Sequence, residues 1–307
     1  KFLNTKRMVA SFAAISFFAL IAAWPGVFFH NNTTAPYPNR IAIYAMPVST
    51  QAAEARLQPE SIAIAELAIA AFPVGHADDF YAYPLDWLYE PLSADSVADV
   101  AYLARAATRL SLPYFVIGEI TSGADSSQMR FQIFSTKNTQ PLDLASVRFA
   151  KDSIRLAAQS LVDKIAETLK IEQGVLAVPD RTTEYYRMRL AAVLGDRQRA
   201  AELAYTQMPA DSADPSLWLP IAEQQFSAPN LVERSKKDRE QSLRRLSQKL
   251  ADLSDRDSSN VALARLAAEG FYWREKFNRA AMYTLRALRH SPYGDSKVYN
   301  LLAQLHY

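Results

Sequence analysis

The polar and apolar positions of this chain follow three rhythms in succession. From Met8 to Phe29, MVASFAAISFFALIAAWPGVFF, the side chains are apolar on every side of a helix, with Ser11 and Ser16 as the polar exceptions. Twenty-two helical residues span roughly 33 Å, close to the ~30 Å hydrocarbon core of a bilayer, so this run predicts a transmembrane helix. From residue 40 to about 178, short strand-like runs alternate with helical ones. Beyond Pro179 the strand signals vanish and Ala, Leu and Arg dominate.

In the middle stretch, Arg40 to Val48, RIAIYAMPV, reads as a short buried strand stopped by Pro47. Glu60 to Ala71 is apolar at helical spacing through Ile62, Leu67 and Ile69, and ends before Pro73. Ala94 to Leu110 predicts a second helix, capped by Ser93 or Asp95, with Val97, Val100, Leu103, Ala107 and Leu110 on its buried stripe. Three strands follow, Tyr114–Thr121, Gln128–Thr136 and Leu142–Ala150. In the second, Met129, Phe131 and Ile133 alternate with Arg130 and Gln132, the period of a half-buried strand. Asp152 is the expected cap of a helix running to Ile171, with Ile154, Leu161, Ile165 and Leu169 facing inward. The order β-α-α-β-β-β-α predicts an α/β layer sandwich containing a three-stranded meander.

In the last stretch, Thr183–Leu194 and Arg197–Met208 read as a helical hairpin turning at Gly195-Asp196. Leu231–Leu253 reads as a long helix with Leu243, Leu246, Leu250 and Leu253 at three–four spacing. Val261–Gly294 has the 34-residue length of a tetratricopeptide unit. Setting Pro292 at the terminal position of that unit places Ala264, Ala267, Ala268, Phe271, Ala280 and Ala287 on its packing positions, with Thr284 departing from the usual aromatic. Small residues are required there because paired helices approach closely. Asp295–Tyr307 reads as the first helix of a following unit or a capping helix.

Charge adds direction. Lys1, Lys6 and Arg7 give the amino terminus +3, no formal charge occurs between Arg7 and Arg40, residues 40–178 carry −5 and residues 179–307 carry +4. The basic flank places the amino terminus in the cytoplasm by the positive-inside rule, with Trp24, Phe28 and Phe29 at the outer interface. A cleaved signal peptide has the same polarity. It is the competing reading, but Ala22-Ala23-Trp24-Pro25 puts a Trp and a Pro where a cleavage site wants small residues. The expected organisation is a cytoplasmic stub and anchor at 1–30, a polar linker at 31–39, an α/β domain at 40–178 and a helical domain at 179–307. The expected location is a bacterial inner membrane, crossed once, with residues 31–307 in the periplasm. Lys1 in place of Met predicts that the natural chain extends upstream.

The 307 residues contain no cysteine and eight glycines. This excludes disulfides, thiolate metal sites and a cysteine nucleophile, and leaves little material for phosphate-cradling loops. Gly118 and Gly123 have P-loop spacing, but Ala124-Asp125 follows where Lys-Ser/Thr is needed. His30, His76, His290 and His306 never stand four apart, so no helical zinc pair exists. No catalytic constellation, cofactor or metal is expected. The densest aromatic segment supplies a candidate partner-binding set, Phe80, Tyr81, Tyr83, Trp87 and Tyr89, because such side chains bury large area at low entropic cost. The interleaved acids, Asp78, Asp79, Asp86, Glu90, Asp95 and Asp99, argue against nucleic acid and make a carboxylate-repulsion pH sensor conceivable. The basic run Lys236, Lys237, Arg239, Arg244, Arg245 and Lys249 reads as a solvated helix face, with anionic lipid or an acidic partner as the alternative.

Tyr114, Gly118 and Ile120, then Arg130, Phe131 and Ile133, preceded by the strand Ile41–Pro47, resemble the TolB amino-terminal α/β fold. Thr139-Gln140 departs from the Thr-Gly turn frequent in that family. An anchor, a TolB-like α/β domain and tetratricopeptide-like helices, in that order over about residues 6–307, resemble the membrane-anchored sensor region of ToxR/CadC-type transcription regulators. The DNA-binding domain of those regulators is not in this chain. The leading expectation is a non-catalytic periplasmic region that binds partner proteins or a signal, as a scaffold, assembly or accessory subunit. The alternative is the membrane-and-sensor part of such a regulator, with its DNA-binding domain upstream of Lys1. Expected partners are other proteins, either a membrane complex or a second copy of the chain, and the bilayer through residues 8–29. No nucleic acid is expected.

Overall fold

A computed structural model of the protein describes residues 40–50, 53–72, 80–83, 85–88, 100–137, 141–172, 174–176, 181–209, 212–226, 236–290 and 296–306. The anchor predicted at Met8–Phe29, the linker at 31–39, Pro292 and most of the acidic run between Asp78 and Asp99 lie outside them. Among the described residues no helix is long and apolar enough to cross a membrane.

The sheet is built around its longest parallel pairing partner, β5 (Tyr114–Ser122). One edge of β5 takes two strands end to end: β1 (Arg40–Ile43) runs parallel along Tyr114–Val116, and β2 (Val48–Thr50) runs parallel along Ile120–Ser122. The strand expected to stop at Pro47 ends earlier, at Ile43, and the sheet resumes beyond the proline at Val48. Pro47 falls between the two pairings, where it has no N–H to donate, and its carbonyl accepts from the Ile120 N–H at 2.9 Å. β3 (Ala53–Arg56) pairs antiparallel with β2, and β4 (Tyr81–Ala82) parallel with β1. These three short strands, β2 to β4, carry too few residues to show a period, and sequence reading missed them. The other edge of β5 begins the predicted meander, β6 (Ser126–Ser135) and β7 (Pro141–Ala150). Gly118 lies opposite Phe131; a Cβ there would fall 2.8 Å from Phe131 Cα and run into the Arg130 carbonyl. The glycine serves close strand packing and not a phosphate.

Alternation gives each sheet face its own core. Val116, Ile120, Met129, Phe131 and Ile133 face α1 (Pro59–Ala70) and α4 (Ile154–Leu169), which supply Leu67, Leu161, Val162 and Ile165. Phe115 and Phe134, stacked with centroids 4.9 Å apart, face α2 (Leu85–Leu88) and α3 (Val100–Arg109). The α/β sandwich is therefore present. Two details differ from expectation. Val100 is 43% exposed, because α3 packs chiefly through Leu103, Ala104 and Ala107 further along its axis. Asp152 does not cap α4. Ser153 occupies the N-cap without a side-chain cap bond, and Asp152 accepts from the Ser153 hydroxyl.

The helical stretch contains α5 (Thr183–Val193), α6 (Arg197–Gln207), α7 (Pro215–Gln225), α8 (Lys236–Arg256), α9 (Val261–Trp273), α10 (Phe277–His290) and α11 (Ser296–His306). The hairpin at Gly195-Asp196 forms as read, with Gly195 at φ 79° and Asp196 capping α6 through the Arg199 N–H. The helix expected over 231–253 is described from Lys236 to Arg256, and its Leu243, Leu246, Leu250 and Leu253 are buried. Helix α7 went unread, although Asp214 and Pro215 carry the cap-then-proline signature of a helix start. The two regions meet where α5 packs on α1: Tyr186 and Val193 join the core that holds Ile62 and Ala65, and Arg189 pairs with Glu66 at 2.5 Å. Helix α1 is thus covered by the sheet, α4 and α5, which accounts for its apolar character on nearly every side.

Candidate functional site

Helix α9 packs against both α7 and α11, and residues of the three helices line a cleft of about 270 Å³, together with Arg197 at the start of α6. Local sequence sets each wall. Asp214 caps α7 through the Ser216 N–H at 3.0 Å and is held by Arg181 at 2.6 Å. Asn260 caps α9 through the Leu263 N–H at 3.1 Å. At the far end of α9, the Glu275 and Lys276 N–H groups close on Tyr272 and Phe271 carbonyls, both at 2.9 Å, and Glu275 takes φ 59°. The chain then reverses into α10. Ala264, Ala267, Ala268, Ala280 and Ala287 are fully buried and Phe271 nearly so, its ring stacked on Tyr283 at 5.7 Å. Gly270 lets α9 settle between α7 and α8; a Cβ there would lie 2.8 Å from both Phe226 and Ser247.

The most enclosed charge lining the cleft is Arg265, 9% exposed on a helix otherwise rich in Ala and Leu. It donates to Glu223 at 2.9 Å across the helix pair and to Glu269 at 3.4 Å one turn along its own helix. Burial pushes the Glu269 carboxyl above its ordinary value; Arg265 opposes this, Glu223 adds to it, and Lys297 and Arg197 pull it down. Asn300 and Gln304 stand one turn apart on α11, and Phe226, Leu266, Tyr272, Trp273 and Leu301 supply the apolar lining. Such an arrangement offers fixed charge, amide donors and acceptors, and aromatic surface. Arg265 does not shed its proton, so the chemistry available is ion pairing and hydrogen bonding. Among the described residues no group of three His, Cys, Asp or Glu side chains is placed to hold a metal.

The aromatic set chosen from sequence is spread between environments. Tyr83 is 3% exposed in the core beside α2 and α3, and its N–H donates to the Ile41 carbonyl at 2.9 Å. Phe80 is half-buried and meets Phe72 edge-on at 5.4 Å. Tyr81 lies on β4 and Trp87 on α2, with their side chains outside the described residues, as is all of Tyr89. In the basic run, Arg244 and Arg245 are exposed on α8, whereas Lys249 sits 5.5 Å from the Trp218 ring centroid. Arg197, Glu223, Arg265, Glu269, Lys297, Asn300 and Gln304 were not singled out by sequence. The available signal was Arg265 with Glu269, an i,i+4 ion pair set into an otherwise apolar helix where a buried face is expected.

No protein-family model matches the chain, and no curated protein matches it. Among solved structures, it is similar to the LpoB C-terminal domain from Salmonella enterica, at 11% identity over 39% of this chain and 87% of that one, with a TM-score of 0.30. It is similar to TolB from Acinetobacter baumannii at 20% identity over 43% of this chain, with a TM-score of 0.28. That alignment spans 28% of the TolB chain. A lipoprotein from Neisseria meningitidis aligns at 10% identity over 42% of this chain and 97% of its own, with a TM-score of 0.31. Scores of this size are too low to carry function, and the architecture above stands on strand register and packing.

Proposed function

We propose that this chain is a single-pass inner-membrane protein whose residues 31–307 lie in the periplasm and bind a partner protein or a signal without catalysis. In this reading the helices after Pro179 form a tetratricopeptide-like array, and the cleft between α7, α9 and α11 is its binding surface. The observation that carries the proposal is Arg265, held between Glu223 and Glu269 and lining an open cleft. A buried ion pair contributes little net stability compared with apolar packing, so its value at a surface lies in specifying what docks there. The uncharged run Met8–Phe29, flanked by Lys6 and Arg7, supports the anchor.

The test is capture of partners from mildly solubilised membranes by the full chain. Lys297→Glu, a change at an exposed position, should remove the captured set while leaving the unfolding transition in place, and deletion of 261–307 should do the same to capture. Undiminished capture by both variants would overturn the assignment of the cleft. Topology is read separately: a reporter active only in the periplasm should be active when fused after Tyr307, and inactivity there would refute the periplasmic placement.

A further inference from the structure

The outer edge of β7 is a ten-residue strand that, among the described residues, pairs with β6 alone. The hairpin bond from the Gly123 N–H to the Ser126 carbonyl, 2.9 Å, sets which strand residues point their backbone groups which way. Even-numbered residues of β6 face β5, odd-numbered ones face β7, and by the registers Ile133↔Asp143 and Met129↔Val147 the odd residues of β7 face β6. Leu144, Ser146, Arg148 and Ala150 therefore direct their N–H and C=O outward. Two of these groups are already taken by the chain itself. The Leu144 N–H donates to Asp143 Oδ1 at 2.8 Å, and the Ala150 carbonyl accepts from the Ser153 N–H at 2.9 Å.

We propose that this edge pairs with the same edge of a second copy of the chain, antiparallel about Val147, joining the two sheets into one. Pairing about Val147 sets Leu144 opposite Ala150 of the second copy and Ser146 opposite its Arg148. The occupied donor of Leu144 then meets the occupied acceptor of Ala150, so neither is missed. Every other outward group of these four residues finds a partner. Shifting the register by two residues in either direction sets an occupied group against an open one and strands it. Shifting it by one turns the core-facing side chains outward.

The side chains agree with this register. On the face shared with α4, Val147 meets its own copy, Ala145 meets the larger Phe149, and Asp143 faces Lys151. The last is an opposite-charge pair repeated at both ends. Asp143 is kept ionised by Lys164 at 2.9 Å and by the Thr168 hydroxyl at 3.0 Å. On the other face, Leu144, 63% exposed in the single chain, gains Ala150 and the stem of Arg148 as neighbours.

The chain has no cysteine, so single replacements give unique thiols. In a scan of Ala145, Ser146 and Val147, each changed to Cys in the full chain in mild detergent, gentle oxidation should join Val147→Cys to its own copy as a disulfide dimer and leave the other two largely monomeric. The opposed Val147 Cα atoms would lie ~4.5 Å apart, whereas Ser146 meets its own copy on a diagonal of about 7–8 Å. Adding Ser146→Pro should abolish the link and the dimer mass seen by light scattering. The monomer should tolerate that change, because the register turns the Ser146 N–H away from β6 and the one bond lost is the exposed contact from Gln128 to its hydroxyl. Asp143→Lys should weaken the dimer, and Asp143→Lys with Lys151→Asp should restore it. A monomer mass for the wild type together with no Val147→Cys product would overturn the proposal, and so would a cross-link that peaks at Ser146 or Ala145.

Discussion

The sheet region closes its core with Phe131, Met129, Ile133 and Leu161, all apolar and fully buried, and keeps its buried polar residues Arg40, Ser61 and Ser127 near element ends. The helical array instead admits Arg265, Ser247, Ser254 and Thr284 among its packed helices. Each of these is satisfied locally or by one neighbour. Ser247 and Thr284 donate to the carbonyl four residues back, both at 2.8 Å, Arg274 reaches Ser247 and clamps Glu240 with two bonds, and the Ser254 hydroxyl accepts from Arg286 at 3.3 Å. Strands inside the sheet have spent their backbone groups on one another, so most of their interior side chains need only shape; Tyr44, whose hydroxyl donates to the Leu103 carbonyl at 3.1 Å, is an exception. Helices paired through alanines leave room between ridges, and polar side chains with short-range partners fill it.

The contrast is broken most directly at Phe131. Phe131→Ala should cost about 3–5 kcal/mol in denaturant unfolding, because the surrounding sheet does not collapse into the gap. A loss below ~1 kcal/mol would show the sheet core to be as adaptable as the array. At the seam between regions, Arg189→Ala leaves Glu66 without its guanidinium and should cost about 3 kcal/mol. The double variant with Glu66→Gln should recover part of that loss, and simple additivity in the cycle would refute the coupling. Within the array, Asn260→Ala removes the cap of α9 and should cost about 1 kcal/mol, read as a lower thermal midpoint.

The smallest effect is one of pH. Burial raises the folded-state value of Glu269, so the folded chain holds a proton there that the unfolded chain has lost. Its contribution to stability therefore falls as pH rises through the window just above the ordinary glutamate value. Glu240, held down by hydrogen bonds from Arg274, has the opposite sign: its stabilisation is present at neutral pH and lost in acid. Glu269→Gln should flatten the first slope and leave the second. An unchanged profile from pH 4 to 7 would remove Glu269 from the account.

Much of the array was legible because its signals are local. The turn at Gly195-Asp196, the leucines of α8 and the alanines of α9 and α10 are all decided within a few turns of helix. The same holds for the meander, where alternation in β6 is visible residue by residue. The strands β2 to β4 were not legible, since two to four residues carry no period. The aromatic segment misled in part because Tyr83 has the composition of an interface and the position of a core residue.

By itself, then, the sequence determined the longer helices, the meander, the order in which they come and the charge of each stretch, because those follow from spacing along the chain. Tertiary structure alone decided that β1 and β2 share one edge of β5, that Arg189 finds Glu66 across 123 residues and that Arg265 finds Glu223 across 42. Such pairings depend on which surfaces the packed layers bring within hydrogen-bonding distance, and no local pattern records that distance.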